Sequence, residues 1–96
     1  VPGRAEVLNS LLEAILDVHV ASGRSPEGID ASTEIFGGID GFDSLNALEV
    51  LVIVSAKVND ELPDELLNRN GDGSSPTVGE LADRILARLE GDNVDA

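Results

Sequence analysis

The stretch Gly41–Val54, GFDSLNALEVLVIV, decides how the rest of the chain is read. It joins a glycine-rich loop to the most apolar segment of the protein, and Asp43-Ser44 stands at the junction. The run Val50–Val54, VLVIV, is β-branched and on propensity alone suits a buried strand. Against that, Leu45, Leu48, Val52 and Ala56 recur at helical spacing, helix-compatible residues flank the run, and no hairpin partner with turn chemistry lies nearby. The spacing therefore predicts a helix from Ser44 to about Asn59, buried on more than one side. Asp43 is placed to cap it and to add negative charge where the helix dipole favours it.

Upstream, RSPEGIDASTEIFGGIDGF is a long connection rich in Gly, Ser, Asp and Pro. Ile29, Ile35, Phe36, Ile39 and Phe42 are spaced through it, which predicts a loop pinned across the core. Gly37, Gly38 and Gly41 are expected to supply backbone conformations that other residues resist. Before it, Leu8, Leu11, Leu12, Ile15 and Leu16 form a helical stripe that His19 or Val20 extends, with Glu6, Glu13 and Asp17 mostly off it. This gives a first helix from about Gly3 to Ser22, with Gly23 as its stop. Downstream, Pro63, Asp64 and Glu65 mark a short helix start, and NRNGDGSS is a polar loop. Thr77 and Glu80 have the spacing of a capping box, after which Val78, Leu81, Ile85 and Leu89 repeat on one face. The fold class expected is all-α: three main helices, a short fourth, and a long first loop packed over one end of the bundle. One domain is expected over residues 1–90, with a flexible acidic tail over 91–96.

At 96 residues the chain has room for one modest core, built from Leu, Ile, Val and Ala because it has two Phe and no Trp, Tyr or Met. Nineteen acidic residues against six basic ones give a net charge of −13. That charge opposes binding to nucleic acid and to anionic membranes, where Lys and Arg supply the affinity. It favours solubility and partners with basic surfaces. No apolar run is long enough to cross a membrane and VPGRAEV has no signal-peptide pattern, so a cytoplasmic protein is expected.

Enzyme chemistry finds little purchase. There is no cysteine, hence no disulfide, thiolate metal site or catalytic thiol. The single histidine, His19, lies on or beside an apolar stripe and reads as a structural residue. Ser44 does not sit in G-x-S-x-G, because Phe42 and Asn46 occupy the glycine positions. Asn68, Asn70, Asp72 and Gly73 imitate part of a calcium loop, but the first ligand is Asn and the closing position is Gly79 rather than Glu. Neither catalytic nor metal-binding residues are expected. Ser44 remains as a hydroxyl at the accessible start of a helix, where first-turn amides and the dipole favour a negatively charged substituent such as a phosphodiester. An ordinary N-terminal serine satisfies the same local pattern.

The wider pattern separates the two. Asp43-Ser44-Leu45, with Ala47 and Glu49 in the apolar helix behind it, follows a long loop ending DASTEIFGGIDGF; ELPDE and TVGELADRIL come later in the same order. From about Val7 to Leu89 the chain resembles the acyl carrier protein family, small four-helix proteins bearing 4′-phosphopantetheine. The resemblance implies that Ser44 carries the group, installed from coenzyme A by a magnesium-dependent phosphopantetheinyl transferase, and that its thiol holds acyl or aminoacyl cargo as a thioester. It implies Asp43, Leu45 and Glu49 as partner contacts on the second helix, and a monomer that is a substrate of loading enzymes and downstream synthases rather than an enzyme itself. Asn46 where an acid is frequent, Lys57, the extra Asp40 and the NRNGDGSS insertion depart from fatty-acid-synthesis carriers. They point to a free-standing carrier for polyketide-like, fatty-acid-like or other specialised biosynthesis. An aminoacyl or peptidyl carrier (a D-alanyl type included) and a non-carrier helical interaction domain are the competing readings.

Overall fold

The computed structural model describes residues 3–21, 23, 28–39 and 42–94, with side chains through residue 91. Three α-helices, α1 (Arg4–Ala21), α2 (Ser44–Val58) and α3 (Val78–Val94), are joined by the long first loop and by a segment holding a 3-10 turn at Asp64–Leu67. The described residues contain no strand, only an isolated antiparallel bridge between Glu34 and Thr77. The short helix expected after Pro63 is thus a single 3-10 turn with Pro63 at its N-cap.

Each helix starts and stops where local chemistry dictates. α1 ends as Gly23, at φ +82°, turns its N–H back onto the Val20 carbonyl at 2.9 Å. α2 ends at Asn59, in the left-handed region at φ 56°, with its N–H bonded to Ser55 O. At α3, Thr77 N–H donates to Glu80 Oε1 (2.9 Å) and Glu80 N–H to Thr77 Oγ1 (3.1 Å), closing the expected capping box. Two further amides at that end are met from the first loop: Val78 N–H donates to Thr33 O and Gly79 N–H to Ala31 O. α3 continues through Gly91–Val94, four residues that the sequence assigns to the tail; Asp95 and Ala96 lie outside the described residues.

α1 is the central helix, packing against both α2 and α3, whose backbones do not approach one another. Its position between two neighbours shifts its buried face from the expected stripe. Val7, Leu11, Ala14, Ile15, Val18 and His19 are buried, Leu8 and Leu12 only partly, and Leu16 lies at intermediate depth. In α3 the expected face holds: Val78, Leu81, Ile85 and Leu89 are all buried, joined by Ala82.

The phase of α2 is the main correction. Leu45, Leu48, Val52 and Ala56, the stripe that signals the helix, are all exposed. Ala47, Val50, Leu51 and Val54 face the core instead. Both stripes are apolar, so the period identifies a helix without saying which side is inward. Burying each larger side chain of the inner face contributes about 1.5–3 kcal/mol, which offsets the few tenths that each β-branched residue costs a helix.

The first loop is pinned as expected, with Ile35, Ile39 and Phe42 buried and Ile29 and Phe36 partly so. Gly37 takes φ +100°, but Gly38 is required for space rather than for φ. A Cβ there meets the Glu34 main chain, 2.7 Å from its nitrogen and nearer still to its carbonyl oxygen. Gly41 lies outside the described residues. Gly38→Ala is therefore expected to cost about 1–3 kcal/mol, since backbone must move to relieve the overlap. Urea denaturation checks this; an unchanged midpoint refutes it.

Candidate functional site

Ser44 is the first residue of α2, and its side chain is exposed. Asp43 before it is the N-cap, in extended conformation (φ −110°, ψ −174°). Asn46 N–H donates to Asp43 Oδ1 (3.0 Å), while Asp43 N–H donates to Asn46 Oδ1 (3.1 Å). This reciprocal box explains Asn46: its side-chain carbonyl performs the task usually given to Glu or Gln at the third helical position. Ala47 N–H bonds to Asp43 O at 3.0 Å, so the first turn is fully formed. Among the described residues nothing accepts from the Ser44 and Leu45 amides, and the Ser44 hydroxyl has no partner. A hydroxyl and two open N–H groups thus face solvent at the positive end of the helix dipole.

Leu45, 64 % exposed, follows at once. Leu48 and Val52, at 39 % and 70 %, continue the same stripe down the helix. Glu49 is exposed beside them, and the helix ends in exposed Lys57. Sequence analysis names Asp43, Leu45 and Glu49 as contacts. Leu48 and Val52 belong to the same surface, which the expectation of a helix buried on more than one side does not single out, because an apolar stripe normally signals core. Three large apolar side chains in an unbroken row are a surface feature that ordinarily marks an interaction site.

Comparison with protein-family models, curated proteins and solved structures returns no match to this chain.

The inner face of α2 closes over a small apolar gap too narrow for a water molecule. Ile15, Ile35, Phe42, Val50, Leu67 and Leu81 form its walls, together with Ala47 of the first α2 turn. Every element of the fold contributes to this lining.

The other sequence candidates lie elsewhere. His19 is 4 % exposed on the core face of α1. The calcium-like loop is occupied by the protein's own cation. Arg84 of α3 sends one guanidinium nitrogen to Leu66 O (2.8 Å) and Asn68 O (2.7 Å), and the other to Asn70 Oδ1 (2.7 Å). Asp72 is turned to Ser74, accepting from its N–H and its hydroxyl. No cluster of three or more His, Cys, Asp or Glu able to hold a metal occurs among the described residues. Nor is any described helix long and apolar enough to cross a membrane.

Three carboxyls are held below their ordinary values by hydrogen bonds to the ionised form. Ser32 side-chain and backbone bonds act chiefly on Asp30, Ser74 bonds on Asp72, and the Thr77 N–H on Glu80, with Arg84 adding a smaller attraction to the last. A depressed carboxyl stabilises the fold above its unfolded pKa and loses that contribution as pH falls through the lower folded value. The stability gap between wild type and Glu80→Gln is thus expected to be full at pH 7 and to close as pH drops below 4.5, the ordinary glutamate value. Urea midpoints of both chains across pH 3–7 measure it. A gap that persists unchanged to pH 3 contradicts the assignment.

Proposed function

We propose that this chain is an acyl carrier whose Ser44 bears 4′-phosphopantetheine. The observation that carries the reading is the α2 start: an exposed serine hydroxyl without a partner among the described residues, at a capped helix N-terminus with open amides, next to an exposed apolar row. The all-helical architecture with a long, pinned first loop suits the four-helix carrier arrangement, the 3-10 turn standing at the place of its short helix.

The residues fit the group. Ser44 Oγ would attack the pantetheine-side phosphorus of the coenzyme A diphosphate, forming the Oγ–P bond as the P–O bond to adenosine 3′,5′-bisphosphate breaks, with the serine proton passing to a base of the transferase. The resulting phosphodiester carries one negative charge into the region that the Ser44 and Leu45 N–H groups and the dipole make favourable. Asp43 fixes the first turn and so holds the hydroxyl outward for the transferase. The group supplies a thiol on which cargo is carried as a thioester; the chain itself, without cysteine, offers no competing thiol.

Partner enzymes meet Leu45, Leu48 and Val52 through an apolar shelf, with basic groups opposite Asp43 and Glu49. Free-standing service to polyketide-like or other specialised biosynthesis is favoured by the departures at Asn46 and Lys57, which leave Glu49 as the sole acidic residue within α2. Intact mass after incubation with coenzyme A, magnesium and a broad-specificity transferase tests the reading. A single phosphopantetheine increment is expected. No increment on a folded sample, with several transferases, transfers the reading to a helical interaction domain.

A further inference from the structure

The loop Asn68–Ser75 plays no part in the Ser44 site. Its sequence, NRNGDGSS, is that of a polar connection, yet its backbone is closed and tied down. Gly73 N–H donates to Asn70 O (2.8 Å) and Asn70 N–H to Ser74 O (2.9 Å), with Gly73 at φ +87°. These bonds make a tight reversal with Gly71-Asp72 at its tip. Asn70, at its base, is the only asparagine of the chain followed by glycine.

Asparagine before glycine is a reactive pair, because glycine has no Cβ to hinder its own nitrogen. The Gly71 nitrogen, giving its proton to a solvent base, attacks Asn70 Cγ. The N–Cγ bond forms, the Cγ–Nδ2 bond breaks, and Nδ2 takes up a proton and leaves as ammonia. Water then opens the cyclic imide. Attack at Cγ breaks the new bond and leaves an ordinary aspartate; attack at the Asn70 main-chain carbonyl carbon leaves the chain running through Cγ as isoaspartate. The nucleophile is ready for this step. Among the described residues nothing accepts the Gly71 N–H, and a Cβ placed on Gly71 meets nothing within 4 Å.

The electrophile is held away. Arg84 Nη2 donates to Asn70 Oδ1 at 2.7 Å, and Asn70 Nδ2 donates to Ser74 Oγ at 3.1 Å. Both ends of the side-chain amide are thus engaged, one by a charge-assisted bond. The holders are themselves fixed, Arg84 through Leu66 O and Asn68 O, and Ser74 Oγ by donating to Asp72 Oδ1 at 2.6 Å. Ring closure requires Cγ to fold back onto the Gly71 nitrogen, so both bonds must first be released. We propose that Asn70-Gly71 is a deamidation site and that Arg84 and Ser74 keep it latent while the loop is closed. Once reached, it acts in one direction. Isoaspartate adds a main-chain carbon inside the reversal and changes the spacing on which both backbone bonds depend. The site stands independently of any modification of Ser44, and its tests use the unmodified chain.

Peptide-resolved mass spectrometry reads the reaction as the mass gain of amide to carboxyl at residue 70, a gain that isomerisation at Asp72-Gly73 does not produce. In mildly alkaline buffer the folded wild type is expected to convert Asn70 at least about tenfold more slowly than the same chain in guanidinium chloride, because reaction waits on local opening. Arg84→Gln is expected to raise the folded-state rate about tenfold or more, as the loss of a charged hydrogen bond implies. Ser74→Ala acts in the same direction, and decides the question if Arg84→Gln does not fold. Arg88→Gln gives up a comparable bond, to Glu61 O at 2.9 Å, outside the loop, and is expected to leave the rate nearly unchanged. Gly71 has open space and a φ outside the positive region, so Gly71→Ala is expected to fold unchanged and to slow conversion in both states. Equal rates in the folded and denatured wild type, no acceleration in the folded Arg84 and Ser74 variants, or equal acceleration in Arg84→Gln and Arg88→Gln overturns the proposal.

Discussion

Ser44→Ala is expected to fold as the wild type does and to gain no phosphopantetheine, a complete loss against full conversion of the parent. Fold and chemistry separate cleanly at this position. The Ser44 side chain is exposed and makes no hydrogen bond among the described residues; the cap is made by Asp43 and Asn46. Alanine is also the better helix former. The denaturation midpoint is accordingly expected to stay within about 0.5 kcal/mol of wild type. Asp43→Ala is the informative companion. It removes the cap at a cost of about 1 kcal/mol while sparing the hydroxyl, so modification should slow rather than vanish. If Ser44→Ala accepts the group as the parent does, the attachment point lies elsewhere and the reading built on this helix start fails. If it unfolds, the geometry assigned to Ser44 is wrong.

The parts of the fold that could be read from the sequence are those whose chemistry is local. Thr77 and Glu80 announce the α3 start because both halves of the box lie within one turn. Gly23 and Asp43 mark a stop and a start for the same reason. The pinned loop was legible because Ile35, Ile39 and Phe42 have no reason to be apolar in a solvated connection. What could not be read depends on distant partners. Arg84 looks like any charge on a surface helix until the fold brings the Leu66 and Asn68 carbonyls against it, and no spacing rule relates these positions. Asn46 stands in the sequence as a departure from a commonly acidic position, although D-S-L-N already holds the cap and its reciprocal acceptor at the right separation. The Leu48–Val52 surface was hidden by the opposite problem. The sequence offers two apolar stripes on one helix, and only the packing of α1 against α2 chooses between them.

That choice yields the second large effect. Val50→Asp and Val52→Asp make the same chemical change two residues apart, with opposite expected consequences. Val50 is 2 % exposed, so the substitution loses its burial and places a carboxyl in an aliphatic core without a partner. A cost of about 4 kcal/mol or more is expected, a large share of the roughly 5–14 kcal/mol available to a domain of this size. Far-UV circular dichroism should show a chain largely or wholly unfolded well below the wild-type midpoint. Val52 is 70 % exposed, and its replacement should leave the midpoint nearly unmoved, within about 0.5 kcal/mol. Its effect falls on recognition. A transferase that packs against the Leu45–Leu48–Val52 row loses an apolar contact worth about 1.5 kcal/mol or more, so kcat/KM for modification should fall about tenfold. Equal stability losses at both positions would mean that α2 is buried on two sides and that no docking row exists. A stable Val52→Asp chain modified at the wild-type rate would keep the fold and remove the row from the transferase interface.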